Sequence, residues 1–127
     1  MKISCELFSN FVIGDDSPVK VMAIVNISKE SFYKSSYIPK EHLLETVKDL
    51  LSKGADIIDI GARSTALRAE KITLEEEIDR LKAGLEIILP EFPKDKVISL
   101  DTLYSDAARV GLDLCKSHGV NVILNDV

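Results

Sequence analysis

The sequence predicts an α/β fold in which a β-hairpin leads into parallel strands alternating with helices. Three observations carry this expectation. Four short runs are apolar on consecutive residues, as strands covered on both faces are. Between them lie segments with apolar residues at helical spacing. Turn or cap residues stand at the junctions.

Taken in order, Lys2–Leu7 and Phe11–Gly14 are β-prone runs split by the turn-forming Ser9-Asn10, and Asp15-Asp16-Ser17-Pro18 closes the pair, which reads as a hairpin over residues 1–17. Cys5 is expected on its buried face. The first apolar strand is Val21–Val25. A helix follows, with Leu43, Leu44, Val47, Leu50 and Leu51 on one stripe, Pro39 at its start and Gly54 where a left-handed cap would end it. Asp56–Ile60 is the second strand. The next helix opens on Thr73 with Glu76 three residues later, a capping box, and places Leu74, Ile78, Leu81, Leu85 and Ile88 on one face before Pro90 and Pro93 end it. Glu75-Glu76-Glu77 is read there as a solvated run facing the positive end of the helix dipole. Val97–Leu100 is the third strand. Ser105–Ser117 is the last helix, with Ala107, Val110, Gly111 and Leu114 inward, Cys115 in the core and Gly119 as its stop; its small residues predict close packing on the sheet. Val120–Leu124 completes the series.

Such alternation gives parallel strands joined by right-handed crossovers. Two architectures satisfy it: a small doubly wound open sheet, or the first half of a (β/α)8 barrel, whose whole form needs about 250 residues. The chain has 127 residues, with no linker-like stretch and no internal boundary, so residues 1–127 are read as one unit with β/α elements from about residue 20 onward.

Composition narrows the partners. With 16 Lys and Arg against 21 Asp and Glu the net charge is -5, which argues against nucleic acid. No apolar run reaches the roughly 18 residues of a membrane span and no signal-peptide core is visible. The two cysteines, Cys5 and Cys115, form neither a CxxC nor a disulfide framework. A soluble protein of the reducing cytoplasm is expected.

In both architectures ligands bind beyond the carboxyl ends of the strands. All four strands end in Asn or Asp: Asn26 and Ser28, Asp59 before Gly61-Ala62-Arg63-Ser64-Thr65, Asp101-Thr102, and Asn125-Asp126. For Ser28 and Thr102 a turn or cap role suffices. Asp59 lies between Ile58 and Ile60, where a carboxylate must be partnered or functional to offset desolvation. Gly61 permits a close backbone approach, and Ser64-Thr65 offers hydroxyls to an anion. His42 and His118 fall on solvated positions, and no nucleophile-base constellation is present.

Met22–Phe32, Gly54–Thr65, Ile98–Thr102 and Val122–Val127, in this order, resemble the pterin-binding family that includes dihydropteroate synthase. The resemblance implies a TIM barrel, of which this chain is the N-terminal half with the hairpin closing the bottom. It implies a transferase of folate biosynthesis that joins 6-hydroxymethyl-7,8-dihydropterin pyrophosphate to p-aminobenzoate with release of pyrophosphate, aided by magnesium. Carried over, Asn26 is the magnesium ligand, Thr65 meets the pyrophosphate or aminobenzoate side, Asp101 and Asn125 hydrogen-bond the pterin ring, and Asp59 supports that pocket. Two departures stand out. Ser28-Lys29-Glu30 replaces the family's Thr-Pro-Asp, and Ala66 stands where the family has arginine after Thr65, with Arg63 and Arg68 as candidate substitutes. One copy of this chain is expected to be inactive alone, the rest of the barrel coming from a second copy or a partner chain. Two other functions fit the same residues: a pterin-dependent methyltransferase and a non-catalytic pterin-binding module.

Overall fold

A computed structural model describes residues 1–28, 38–64 and 71–126. The hairpin comprises β1 (Ser4–Phe8) and β2 (Phe11–Gly14), paired antiparallel with Ser4 opposite Gly14. Asn10 turns the chain at φ 64°, a left-handed conformation asparagine tolerates. The chain then alternates β3 (Met22–Asn26), α1 (Lys40–Ser52), β4 (Ile57–Gly61), α2 (Leu74–Ile88), β5 (Val97–Asp101), α3 (Ser105–Ser117) and β6 (Asn121–Asn125). A 3-10 turn, Leu89–Glu91, follows α2 at Pro90.

The strand order is β3-β4-β5-β6, all parallel. Sequential order decides between the two architectures, because right-handed crossovers between consecutive neighbours put every helix on the same face, whereas a doubly wound sheet reverses its order and covers both. Val25, Ile58, Ile60, Ile98 and Leu100 point to that covered face and form one core with Leu43 and Val47 of α1, Leu81, Leu85 and Ile88 of α2, and Ala107 and Cys115 of α3. The chain is half a (β/α)8 barrel.

The predicted punctuation is present. Gly54 ends α1 at φ 109° and Gly119 follows α3 at φ 65°, conformations that suit glycine. Thr73 Oγ1 accepts from Glu76 N at 3.1 Å while Glu76 Oε2 accepts from Thr73 N at 2.7 Å. A Cβ at Gly111 would lie 2.6 Å from Leu100 Cδ1, so a larger residue there would force the Leu100 side chain to move, as expected of a helix packed close on the sheet.

The opposite face, which would line a barrel, is layered. At the bottom, Met22, Ile57, Val97 and Asn121 are in register, and Phe11 seals Ile57 and Val97 with help from Phe8 and Ile123. Above them lie Ile24, Asp59, Ser99 and Ile123, then Asn26, Gly61, Asp101 and Asn125 at the top. Both edges are open, with Val21, Met22 and Ile24 exposed along β3 and Leu124 along β6. Cys5 is exposed, contrary to expectation, because only Phe8 and Phe11 of the hairpin reach the sheet and the remainder projects beyond it.

Candidate functional site

The top layer is a straight polar row. Asn26 pairs with Gly61, Gly61 with Asp101 and Asp101 with Asn125, so three side chains from three strands share one level and one face. Gly61 makes room inside the row. A Cβ there would come within 3.3 Å of Asp101 Oδ2, so the Asp101 carboxylate leans across the space that glycine leaves.

One level down, Asp59 is 3% exposed, and its Oδ1 accepts from Asn125 Nδ2 at 3.3 Å. The structure thus brings Asp59, Asp101 and Asn125 together as one acidic-amide wall. Burial pushes the Asp101 carboxyl above its ordinary value, and the nearby charges of Asp59 and Glu77 push it further in the same direction. Asn26 closes the row on the β3 side. Its Oδ1 accepts from Ser28 N at 2.8 Å, an Asx turn that fixes the amide, and its backbone carbonyl accepts from Ile38 N at 3.0 Å. Thr65, assigned to the pyrophosphate or aminobenzoate side, lies outside the described residues, as does Arg68.

A second cluster ties the loops after β4 and β5 to α2. Glu77 is 1% exposed and accepts from Arg63 Nε at 2.6 Å and from Thr102 Oγ1 at 2.6 Å. Arg63 also donates to the Ile72 carbonyl at 2.9 Å and lies 4.9 Å from the Tyr104 ring centroid, a cation-π distance. Thr102 Oγ1 in turn accepts from Tyr104 N at 3.2 Å. This corrects the reading of Glu77 as solvated. Its position was legible: Glu77 precedes Leu81, Leu85 and Ile88 at helical spacing, on the inward stripe. It also argues against Arg63 as a substitute for the arginine missing at Ala66, since its guanidinium is committed to Glu77 and Ile72.

The remaining candidates are peripheral. His42 is exposed on α1, and His118 ends α3 with Nδ1 against the Leu114 carbonyl at 3.0 Å. Cys115 is buried as expected, its thiol pushed up to about 11 by desolvation. Among the described residues no group of three or more His, Cys, Asp or Glu could hold a metal ion. The wall itself offers carboxylate and carboxamide oxygens with an amide donor, the set that reads a flat heterocycle edge through directional bonds.

Residues 22–127 match the family model described as pterin binding enzyme. The chain belongs to that family. In the pterin-binding family, a mitochondrial folate synthesis bifunctional protein of Arabidopsis thaliana is 40% identical over 110 residues, covering 84% of this chain and 19% of that one. Dihydropteroate synthase of Coxiella burnetii, solved with pteroic acid, matches with a TM-score of 0.69 and 30% identity over 93% of this chain and 38% of its own. Dihydropteroate synthase of Xanthomonas albilineans, solved with 4-aminobenzoic acid, matches at 0.68 and 28% identity over 91% and 40%. The chain therefore spans 19% of the plant relative and 38–40% of the two solved structures.

Proposed function

We propose that residues 1–127 are the N-terminal portion of a pterin-binding domain and form the pterin-recognising wall of a dihydropteroate synthase. The reaction joins 6-hydroxymethyl-7,8-dihydropterin pyrophosphate to p-aminobenzoate. A C–N bond forms between the aminobenzoate nitrogen and the pterin's exocyclic methylene, the C–O bond to pyrophosphate breaks with its electron pair leaving on oxygen, and the amine gives up a proton to solvent. The observation that carries this proposal is the wall of Asp59, Asp101 and Asn125 at the strand ends.

Each side chain has a task suited to its chemistry. Asp101 and Asn125 hydrogen-bond the pterin ring, Asp59 holds the Asn125 carboxamide in place, and Thr65 meets the pyrophosphate or aminobenzoate side. Burial makes these bonds count, because a ligand lacking the matching donors leaves desolvated acceptors unpaired. No residue of this chain is assigned to proton transfer.

Magnesium fits here as an ion that arrives with the substrate. Asn26 Oδ1 spends one acceptor site on Ser28 N and keeps another for a hard cation, and a single protein oxygen is the share such an ion takes when phosphate oxygens and water supply the rest. When bound, it would stabilise charge developing on the departing pyrophosphate. A second copy or a partner chain would close the open edges along β3 and β6 and complete the pocket. A reducing compartment such as the cytoplasm suits two free thiols.

Calorimetric titration with 6-hydroxymethylpterin tests the assignment. The chain should bind it, and Asp101→Asn should bind at least about tenfold more weakly, the scale of a hydrogen bond to a charged group. No binding by the unsubstituted chain overturns the proposal. Supplied with both substrates and magnesium, the chain alone should form no dihydropteroate.

A further inference from the structure

Ser99 is the polar side chain near the wall whose environment the roles above leave unexplained. It is fully buried in the middle of β5, and its Oγ has no hydrogen-bond partner among the described residues. Register sets it beside Asp59 of β4 on one side and Ile123 of β6 on the other, one level below Asp101 on the same face. Ile123 can neither donate nor accept. A buried hydroxyl without a partner is costly, and alanine would occupy the same place without that cost.

Asp59 has the complementary problem. Its bond from Asn125 Nδ2 is long, at 3.3 Å, and Asn125 is assigned above to the pterin edge. A carboxamide that rotates to meet a ring above it gives up that bond. Asp59 is then left almost wholly buried, with its donor gone.

We propose that Ser99 is a positioning residue for ligand recognition: when Asn125 turns from Asp59 to the pterin ring, the Ser99 hydroxyl donates to Asp59 in its place. Side chains in register on adjacent strands stand about 4.8 Å apart, so a rotation about the Ser99 χ1 brings its hydroxyl to the neighbouring carboxylate. The orphaned hydroxyl is the waiting half of a donor exchange. No bond other than a hydrogen bond is made or broken, and the proposal rests on the pterin assignment above.

The test is Ser99→Ala, with 6-hydroxymethylpterin as the probe. The free variant should melt at the same temperature as the unsubstituted chain or higher, because it loses an unsatisfied group, yet bind the probe about tenfold more weakly. In an Asp59→Leu background the same substitution should change affinity less than about twofold, since the acceptor is gone. Ser99→Ala binding as tightly as the unsubstituted chain overturns the proposal and leaves the pterin assignment standing. So does an equal loss in the Asp59→Leu background, which would mean Ser99 acts elsewhere. A drop of several degrees in the free variant's melting temperature would show the hydroxyl already bonded, and it equally overturns the proposal. No binding by the unsubstituted chain removes both assignments together.

Discussion

Replacing Arg63 with methionine keeps a flexible apolar stem of similar reach and removes the guanidinium. Glu77, 1% exposed, then retains Thr102 Oγ1 as its donor at 2.6 Å and loses the charged one at 2.6 Å. Breaking a buried ion pair from one side costs about 3–5 kcal/mol, mostly the penalty of an uncompensated buried charge. Arg63 is 20% exposed, so water screens part of the attraction and the lower end, about 3 kcal/mol, applies. A chain of 127 residues has a total stability of about 6–19 kcal/mol, so this is a large fraction of it. With an unfolding entropy of about 2.1 cal/mol/K per residue, the melting temperature should fall by about 11 °C. Calorimetry and urea unfolding followed by circular dichroism both read the change. Lys82→Met is the control, because its pair with Glu86 is 4.0 Å long and exposed, and it should cost under about 1 kcal/mol. Combining Arg63→Met with Glu77→Leu should recover most of the loss, leaving about 1 kcal/mol for the Thr102 hydroxyl deprived of its acceptor. If Arg63→Met alone stays within about 1 kcal/mol of the unsubstituted chain, or the double variant is less stable than the single, the pair does not hold the two loops as argued.

Two further outcomes follow from burial. The Cys115 thiol is raised from 9.0 to about 11 in the folded chain, so the unfolded chain ionises first and stability should fall as pH rises from 9 to 11, by on the order of 2–3 kcal/mol. Cys115→Ala should abolish that slope, and a thiol reagent at neutral pH should label exposed Cys5 at once and Cys115 only on unfolding. Ile24, 71% exposed on edge strand β3, should promote self-association at high concentration; Ile24→Lys should shift sedimentation toward monomer without lowering the melting temperature, and an unchanged profile would count against an edge-to-edge contact.

What was legible in the sequence divides along the two faces of the sheet. The helix-facing side declares itself through apolar runs, stripes and caps, each a local signal, and strand order then follows from chain order. Asp59 was legible because Ile58 and Ile60 flank it, which makes burial the expectation for any residue between them. Glu77 was concealed by the opposite circumstance, two exposed glutamates before it, although its spacing to Leu81 and Leu85 marks the inward stripe. Ser99 carried no signal at all. A serine within a strand is ordinary until register places a carboxylate on one side, an isoleucine on the other, and its Oγ is left without a hydrogen-bond partner among the described residues.

These differences reflect what each face does for the chain. The helix-facing core supplies burial, and apolar residues of suitable volume there can be exchanged with modest loss. The opposite face is apolar where Phe11 seals the bottom, and polar at the top layer and at Asp59 and Ser99 of the layer below, where a carboxyl held above its ordinary value, a buried Asp59 and a Ser99 hydroxyl with no partner among the described residues all work against stability. Because the folded Asp101 carboxyl binds its proton more tightly than the unfolded one, its contribution is most favourable in acid and is lost as pH rises through the folded value. Three unfavourable polar placements in adjoining layers at the carboxyl ends of parallel strands are better accounted for by recognition than by folding, since apolar substitutes at the same positions would make a more stable sheet.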